Sequence, residues 1–382
     1  MNDLAKKQAA YVASYLNGLR GIAALLVVFS HWRNAFFVDY AQIAHPNPIW
    51  AVVYLICGLG HQAVIIFFVL SGYLVGGACL RQVKSQRWSW TNYGLDRLTR
   101  LYTVLIPGLI LGAIWDGIGL HFFGDSQFYT GNTNIAIIQG STSEGYNLAT
   151  FFGNLFFLQG ILVKNFGSNN PLWSLSYEFW YYVLFPLLVL PFYTKRMIPR
   201  ILSLAAALIL LMFVGQTIAL YAGIWLLGAL VYLLSGAGVG EGIVSRVSVP
   251  LAAFAFAAIL VVIKVFHWNS FLADLSLSII VAGLIYSVVN FRPKALPKPL
   301  AWMADRLAES SYTLYVLHYP LIMLIAAATV QGRWQPGDYL ATGKAALILL
   351  VILVYARIAY ICFEARTSAI RARLKIKSVM TG

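Results

Sequence analysis

The stretch GLRGIAALLVVFSHWR, residues 18–33, is an almost unbroken apolar run with Arg20 near its start and His31 near its end. About 20 predominantly apolar residues suffice for a helix to cross a bilayer. Ionisable side chains within such a helix are energetically costly, so each one is a functional hypothesis. Eleven residues of helix make three full turns plus about 20°, so Arg20 and His31 project from one face, about 16 Å apart along the axis.

The composition predicts that the rest of the chain is also embedded in a membrane. The 382 residues are 60% hydrophobic and only 10% charged, whereas soluble domains carry about 25% charged residues. The apolar runs predict an all-α membrane protein with about ten transmembrane helices. These runs lie near residues 18–38, 62–80, 101–119, 174–193, 198–214, 216–235, 248–266, 270–290, 310–330 and 341–363. The fifth and sixth runs join almost directly at Gly215, which predicts a tight helical hairpin.

The basic residues predict the orientation. Lysines and arginines beside membrane spans stay in the cytoplasm, and most of the 27 in this chain fall in segments that are cytoplasmic when both termini are. The net charge of +14 then follows from topology and anionic lipid, without any nucleic-acid partner. We expect a multi-pass protein of the cell inner, or plasma, membrane.

The predicted domain organisation is simple. An integral-membrane domain would cover residues 1–366, with a long outer loop at about 120–170, and a basic cytoplasmic tail would cover 367–382. Loops of that length are often functional, so this one is interpreted either as a structured cap or as a glycan-facing surface. Its apolar piece at 151–163 is short for a span and indicates a re-entrant or interfacial segment.

Further ionisable residues fall inside the apolar runs. Glu178 lies in LWSLSYEFWYY (172–182), and His318 lies in ESSYTLYVLHYP (309–320). Helical rise places His318 about 12 Å from Ser310 and therefore near the depth of His31. Two histidines at one depth favour a polar chamber, which Glu178 could also reach. The alternatives are that Arg20 is a membrane anchor, that His31 bonds to a neighbouring helix and that Glu178 faces interfacial water.

Two more motifs have both a functional and a structural interpretation. DRLTRLYTVLIP (96–107) sets Arg97 and Arg100 three residues apart on one helix face, which suits phosphate binding or only reflects topology. FFVLSGYLVGG (67–77) sets Ser71 among glycines, which favours close helix packing or a slot for a ligand chain. Arginines at the rim and a histidine about 16 Å deeper would match a long acyl thioester of coenzyme A.

With these motifs the sequence resembles the integral-membrane acyltransferase 3 family, which O-acylates carbohydrates and some other small molecules. The resemblance covers most of the chain and rests on five blocks in order: YLNGLRGIAALLVVFSHWR, FFVLSGYL, RLTRLY, PLWSLSYEFWYYVLFPLL and SSYTLYVLHYPL. It implies transfer of an acyl group, commonly acetyl, from cytoplasmic acyl-CoA as co-substrate to a hydroxyl of a carbohydrate or glycolipid acceptor. We expect no permanently bound cofactor, and three cysteines without CxxC spacing offer no zinc site.

The resemblance also implies roles for individual residues. His31 would be the general base on the acceptor hydroxyl or assist acyl handover, and Glu178 would orient the imidazole or a proton path. The implied substrate-binding residues are Arg20, Arg97, Arg100, Ser71, Trp173, Ser176, Tyr312 and His318, with the arginines of the 96–107 motif at the donor phosphates.

One competing function belongs to a different class. A proton-coupled transporter or exporter also uses intramembrane histidine and glutamate as a proton relay. The sequence has no repeated half-structure of the kind that many transporters share. Release of CoA from acyl-CoA separates the two functions, because an exporter has no reason to consume that thioester.

Overall fold

The computed structural model describes residues 3–235, 244–268, 270–290 and 295–380. These residues form helices and connecting segments, with isolated β-bridges but no β-sheet. The prediction of an all-α membrane protein is confirmed. The first two and last two residues lie outside the described residues, so the predicted cytoplasmic location of both chain ends stays a prediction.

The helices are numbered here in chain order. They are α1 (Asp3–Phe36), α2 (Pro48–Cys57), α3 (Gly60–Ser71), α4 (Gly77–Lys84), α5 (Trp90–Phe123), α6 (Gln127–Thr130), α7 (Thr142–Gly145), α8 (Leu148–Leu155), α9 (Trp173–Val189), α10 (Met197–Ser235), α11 (Val244–Val265), α12 (Phe271–Asn290), α13 (Lys298–Glu309), α14 (Ser311–Thr329), α15 (Tyr339–Cys362) and α16 (Thr367–Met380). A π-helical segment, Gly72–Gly76, joins α3 to α4. Side chains of Asn47, Asn147 and Asp338 accept backbone N–H groups at the starts of α2, α8 and α15.

Eight helical stretches of the described residues are long and apolar enough to cross a membrane. They are Lys7–Phe36, Gly60–Lys84, Trp90–Phe123, Asn170–Phe192, Met197–Ser235, Phe271–Asn290, Ser311–Thr329 and Tyr339–Lys375, and Val249–Val265 is apolar but shorter. Large apolar side chains at helical spacing, such as Ile106, Ile110 and Ile114, are exposed, as expected where a helix faces lipid. The number of ten spans stays a prediction.

The fifth and sixth predicted spans follow each other directly within α10, which consists of two helices separated at Gly215. Its geometry is broken at Gly215, where φ is 80° and ψ is 169°. A positive φ of this kind is readily adopted only by glycine. The break between the two helices therefore falls at the residue where the sequence predicts the join of the two spans.

The described chain divides into two compact units, each built from three separate stretches. The first unit comprises Met1–Ala23, His61–Trp90 and Tyr177–Ala308, and the second comprises Ala24–Gly60, Thr91–Ser176 and Glu309–Gly382. Because the stretches alternate along the sequence, neither unit is a contiguous domain.

The first unit depends on a close approach of two helices. A Cβ atom at Gly72 would lie 1.8 Å from the carbonyl oxygen of Trp225, and one at Gly228 would lie 2.0 Å from that of Val69. Glycine at both positions is what allows these backbones to touch. Of the two interpretations of the 67–77 motif, close packing is therefore observed for Gly72.

The second unit is built around α14. Every residue from Thr313 to Met323 is buried. Helix α5 approaches α14 closely at Gly108, where a Cβ atom would lie 2.5 Å from a side-chain carbon of Val316. A helix that is apolar around its whole circumference is expected at the centre of a bundle.

The 120–170 segment is ordered in the second unit. Its apolar piece forms the end of α8 and a turn in which Phe157 has φ 58°. Gln159, fully buried, donates from Nε2 to the carbonyl of Leu172 at 2.8 Å. The apolar piece thus forms a short helix and a turn, with Phe157 and Gln159 buried and Phe152, Phe156 and Leu162 exposed. Its re-entrant or interfacial location stays a prediction.

The predicted tail also has a defined place in the second unit. Its residues begin helix α16, and the Nζ atom of Lys375 lies 2.8 Å from the carboxylate of Asp96, near the start of α5. Arg371 approaches the same carboxylate at 3.5 Å. Basic residues of the tail therefore hold it against the first turns of α5.

Candidate active site

His31 and His318 meet in the second unit. Nδ1 of His31 lies 2.7 Å from Nε2 of His318, and the ring planes differ by 9° with centroids 5.0 Å apart. With so short an N–N distance, two nearly parallel rings at this separation lie edge to edge in one plane rather than face to face. The predicted proximity of the two histidines is therefore present as a direct hydrogen bond.

A backbone carbonyl determines which nitrogen carries each proton. Nδ1 of His318 lies 2.9 Å from the carbonyl oxygen of Leu314, and a carbonyl can only accept, so His318 donates from Nδ1. In a neutral ring Nε2 then holds a lone pair. That lone pair accepts from Nδ1 of His31, which leaves Nε2 of His31 unprotonated and able to accept a proton.

Tyr319 packs beside this pair. Its ring meets the His31 ring edge-on, with centroids 4.9 Å apart and planes at 89°. Its hydroxyl donates to the carbonyl of Ile137 at 2.6 Å. Tyr319 therefore connects the histidine pair to the 120–170 segment.

Pro320 creates a second connection to that segment. Proline has no N–H, so the carbonyl of Val316, four residues earlier in α14, loses its helical donor. Nδ2 of Asn169 donates to that carbonyl at 2.9 Å, and Asn169 is only 2% exposed. A loop side chain thus completes the helix that carries His318.

Arg100 is held at the start of α14. Its guanidinium donates to the carboxylate of Glu364 and lies over the Tyr312 ring, 5.3 Å from the centroid. The Glu364 side chain is 1% exposed and also accepts from the backbone N–H of Thr313 at 3.0 Å. Such a carboxylate is stable in a buried position because several donors surround it. Arg100 itself is 34% exposed, so part of it stays accessible to a ligand.

The other two predicted arginines have local contacts. Arg97 lies over the ring of Tyr93, 5.7 Å from its centroid. In the first unit, Nη2 of Arg20 donates to the carbonyl of Ala308 at 2.7 Å. Ala308 lies in the last turn of α13, where carbonyls lack helical partners and a cation is favourable.

Glu178 forms its own cluster in the first unit. Its carboxylate accepts from the hydroxyl of Ser71 at 2.9 Å and from the hydroxyl of Tyr182. The indole N–H of Trp225 donates to Ser71 at 3.1 Å. Ser71 is the last residue before the π-helical segment, and such irregularities are frequent at functional sites.

The remaining two candidates lie at the start of α9, in the second unit. Trp173 is half-buried. Ser176 is fully buried and donates to the carbonyl of Phe157 at 2.8 Å. Its hydroxyl therefore bonds to the 120–170 segment.

Several residues of the site are not among those predicted from the sequence. Tyr319 directly follows the predicted His318, and Glu364 directly follows the last apolar run. Asp116, fully buried in α5, accepts from the N–H and hydroxyl of Ser168 at 2.8 and 2.7 Å. A lone carboxylate inside an apolar run was the available signal for Asp116.

A charged cluster lies just beyond His31 along the chain. Asp39 pairs with Arg33 at 3.1 Å and with Arg333 at 2.9 Å. Partial burial raises the pKa of Asp39, but the hydrogen bonds and charges of Arg333 and Arg33 outweigh it and hold that pKa below its usual value. The cluster fixes the end of α1 to the segment that precedes α15.

Metal ligation has no support in the described part of the chain. Within it, no three histidine, cysteine, aspartate or glutamate side chains come together in a group that could hold a metal ion.

Comparison with known proteins gives consistent matches. Residues 13–362 match a family model described as an acyltransferase domain, Acyl_transf_3. The acyltransferase MdmB of Streptomyces mycarofaciens is 26% identical over 90% of this chain and 87% of its own length. The O-acetyltransferase OatA of Staphylococcus aureus is 24% identical over 87% of this chain but only 54% of its own, so this chain spans about half of OatA. No solved structure gives a significant match.

Proposed function

Because the chain belongs to the acyltransferase 3 family of membrane acyltransferases, we propose that it is an O-acyltransferase that uses cytoplasmic acyl-CoA. The transferred group is acetyl, and the acceptor is a hydroxyl of a cell-envelope or exported carbohydrate. The names of MdmB and OatA, an acyltransferase and an O-acetyltransferase, support the reaction class. The apolar helices support a multi-pass location, which we assign to the inner membrane.

One observation carries the proposal: the hydrogen-bond chain from Leu314 through His318 to His31. It leaves Nε2 of His31 as a lone-pair acceptor, which is the state that a general base requires. A group that orients the base through its other nitrogen is a recurrent feature of acyl-transfer sites. Here His318 has that role, and its own partner is a backbone carbonyl.

The reaction then follows in two proton transfers. Nε2 of His31 removes the proton of the acceptor hydroxyl as the oxygen attacks the thioester carbonyl carbon. The carbon–sulfur bond then breaks, and CoA leaves as a thiolate. The new carbon–oxygen bond is kept as the ester. The proton on His31 passes to that thiolate, so the products are an O-acyl ester and free CoA, and His31 returns to its starting state.

The phosphate groups of acyl-CoA need positively charged side chains to bind them. Guanidinium groups bind phosphate by two parallel hydrogen bonds, and Arg100 is partly exposed while Glu364 and Tyr312 fix its position. We assign Arg100 and Arg97 to the donor phosphates and Arg20 to donor use. Glu178 is proposed as a second proton-handling group, because Ser71 and Tyr182 both donate to its carboxylate.

The experiment measures the rate at which purified protein in lipid vesicles releases free CoA from acetyl-CoA, with and without a mixed pool of cell-envelope glycans. We expect glycan-stimulated release by the wild type. His31→Ala should lower it by about 100-fold or more, which is the usual contribution of a general base. His45→Ala is the matched control, because His45 is exposed and is not part of the His31–His318 pair.

The outcome also separates the acyltransferase from a transporter. Equal release by wild type and His31→Ala would remove His31 as the base. No release by folded wild type with acetyl-CoA, succinyl-CoA or longer acyl-CoA donors would contradict the proposed function and favour the proton-coupled transporter.

A further inference from the structure

A histidine–carboxylate pair lies in the first unit, and the chemistry described so far does not use it. Nε2 of His61 lies 3.0 and 2.9 Å from the two carboxylate oxygens of Asp274. The hydroxyl of Tyr221 donates to the same carboxylate at 2.6 Å. The cluster of these three residues therefore connects helices α3, α10 and α12.

The carboxylate determines which nitrogen of His61 carries the proton. Asp274 lies in the first turn of α12, where the helix dipole and two hydrogen-bond donors favour its ionised form. An ionised carboxylate can only accept, so Nε2 of His61 carries a proton. In the neutral ring, Nδ1 then holds the lone pair. A carboxylate orients the base of a Ser-His-Asp triad in the same way and stabilises the imidazolium that forms.

The position of His61 gives water access to its ring. The side chain of His61 is 49% exposed, whereas that of Asp274 is only 8% exposed. His61 is the second residue of the membrane-length stretch Gly60–Lys84, and Asp274 is the fourth residue of Phe271–Asn290. Because both residues lie close to the end of a span, the cluster belongs near the surface of the bilayer, outside the dry hydrocarbon core.

The surroundings of the cluster favour an uncharged substrate. The ring of Phe271 meets the ring of Tyr221 edge-on, with centroids 5.4 Å apart, and the ring of Tyr177 meets it at 6.0 Å. The next residue after Phe271, Leu272, is exposed. Apolar and aromatic groups around a few polar atoms are the usual lining of a site for an uncharged small molecule.

We propose that His61, oriented by Asp274 and Tyr221, is the base of a second active site, which hydrolyses uncharged carboxylic esters. Nδ1 of His61 removes a proton from water as the water oxygen attacks the ester carbonyl carbon. The bond between that carbon and the alcohol oxygen then breaks, and the leaving alkoxide takes the proton from Nδ1. The products are a carboxylic acid and an alcohol. This activity goes beyond the proposed acyl transfer and uses none of the residues assigned to it.

The first experiment measures hydrolysis of p-nitrophenyl acetate by purified protein in nanodiscs, without acyl-CoA. We expect His61→Gln to lower the protein-dependent release of p-nitrophenol by about 100-fold, since a general base contributes at least that much. The glutamine amide can still donate to Asp274 but has no basic nitrogen, so this variant should keep the thermal stability of the wild type. His45→Ala, at an exposed position, should hydrolyse the ester at the wild-type rate.

The second experiment measures the reactivity of His61 without turnover. Diethyl pyrocarbonate modifies imidazole nitrogens that hold an accessible lone pair, and peptide mass spectrometry locates the modified residues. We expect His61 to react, and to react severalfold more slowly in Asp274→Asn, because a neutral amide stabilises the developing positive charge less than a carboxylate does. Tyr221→Phe should slow the reaction less, since it leaves Asp274 in place. His45, in the same samples, should react equally in all of them.

The outcomes distinguish this site from the proposed function. Equal hydrolysis by wild type and His61→Gln, an equal loss in His31→Ala, or a parallel loss of thermal stability in His61→Gln would overturn the second site. Unchanged labelling of His61 in Asp274→Asn would remove Asp274 as its positioning residue. CoA release without His61-dependent hydrolysis overturns the second site only. Hydrolysis that depends on His61, in a protein that never releases CoA, overturns the proposed acyl transfer only.

Discussion

At the scale of single residues, His318 determines the orientation of His31, and this role can be tested separately from folding. His318→Leu removes the acceptor for Nδ1–H of His31, so the ring can adopt the other tautomer. We expect kcat for transfer to fall by about 100-fold, with an unchanged KM for acetyl-CoA. His318→Gln should recover part of the rate, because its side-chain oxygen can accept the same hydrogen bond.

The two variants provide the decisive comparison for His318. A purely structural role predicts equal losses in His318→Leu and His318→Gln, with parallel losses in thermal stability. Thermal unfolding in detergent measures the stability of the two variants. Equal kcat in His318→Leu and wild type would contradict the positioning role.

Asn169 offers a prediction of stability at the same scale. Asn169→Leu leaves the buried carbonyl of Val316 without a donor, which should lower the free energy of unfolding by about 1–3 kcal/mol. Pro320→Ala restores a helical N–H to that carbonyl. In the Pro320→Ala background, Asn169→Leu should therefore cost less than about 1 kcal/mol. Equal losses in both backgrounds, measured by denaturant unfolding in a double-mutant cycle, would contradict this coupling.

The sequence patterns predicted which residues belong to the site better than they predicted the contacts among those residues. Depth along two helices placed His31 and His318 together, because helical rise per residue is fixed. The pattern of apolar residues does not indicate that Glu364 binds Arg100. These two residues are 264 positions apart, and only the packing of several helices brings them together.

At the scale of elements, Gly72 and Gly228 control the packing of the π-helical segment against α10. A Cβ at Gly72 would overlap a backbone carbonyl, which cannot move away as a flexible side chain can. We expect Gly72→Ala to reduce the free energy of unfolding by about 3 kcal/mol or more. It should also reduce CoA release, because Trp225 in the same contact bonds to Ser71.

The matched control for this prediction is Gly223, which lies in α10, the helix that Gly72 contacts. A Cβ at Gly223 meets nothing within 4 Å, so Gly223→Ala should change stability by no more than about 1 kcal/mol. Thermal unfolding of both variants in one detergent gives the comparison. Similar midpoints for Gly72→Ala and wild type would show that the helices separate without penalty.

The elements themselves were predictable to different degrees. Apolar runs located the long helices because a span needs a minimum apolar length, and a glycine located the break in α10. The fold of the 120–170 segment was not predictable in detail. Asp116 and Leu172 lie outside this segment in the sequence, and their hydrogen bonds to Ser168 and Gln159 hold its turns in place. The π-helical segment has no sequence signal beyond its glycines.

At the scale of the whole molecule, the proposed function takes its donor from the cytoplasm, so the orientation of the chain in the membrane can be tested. Within the second unit, α5 runs from Trp90 to Phe123, about 50 Å of helix and enough to cross a bilayer. Lys375 of α16 pairs with Asp96 near its start, and the 127–170 stretch follows its end. If α5 crosses the bilayer once, the tail and this stretch lie on opposite sides, and we expect the basic tail in the cytoplasm.

Cysteine labelling tests this orientation. With Cys57, Cys79 and Cys362 replaced by serine, Gln139→Cys should react with a membrane-impermeant maleimide in right-side-out vesicles. Ser368→Cys, exposed in the tail, should react only after the vesicles are opened. The cysteine-free protein must retain CoA release for the comparison to be valid. Labelling of Ser368→Cys in sealed vesicles would contradict this orientation and place the basic tail on the outer side of the membrane.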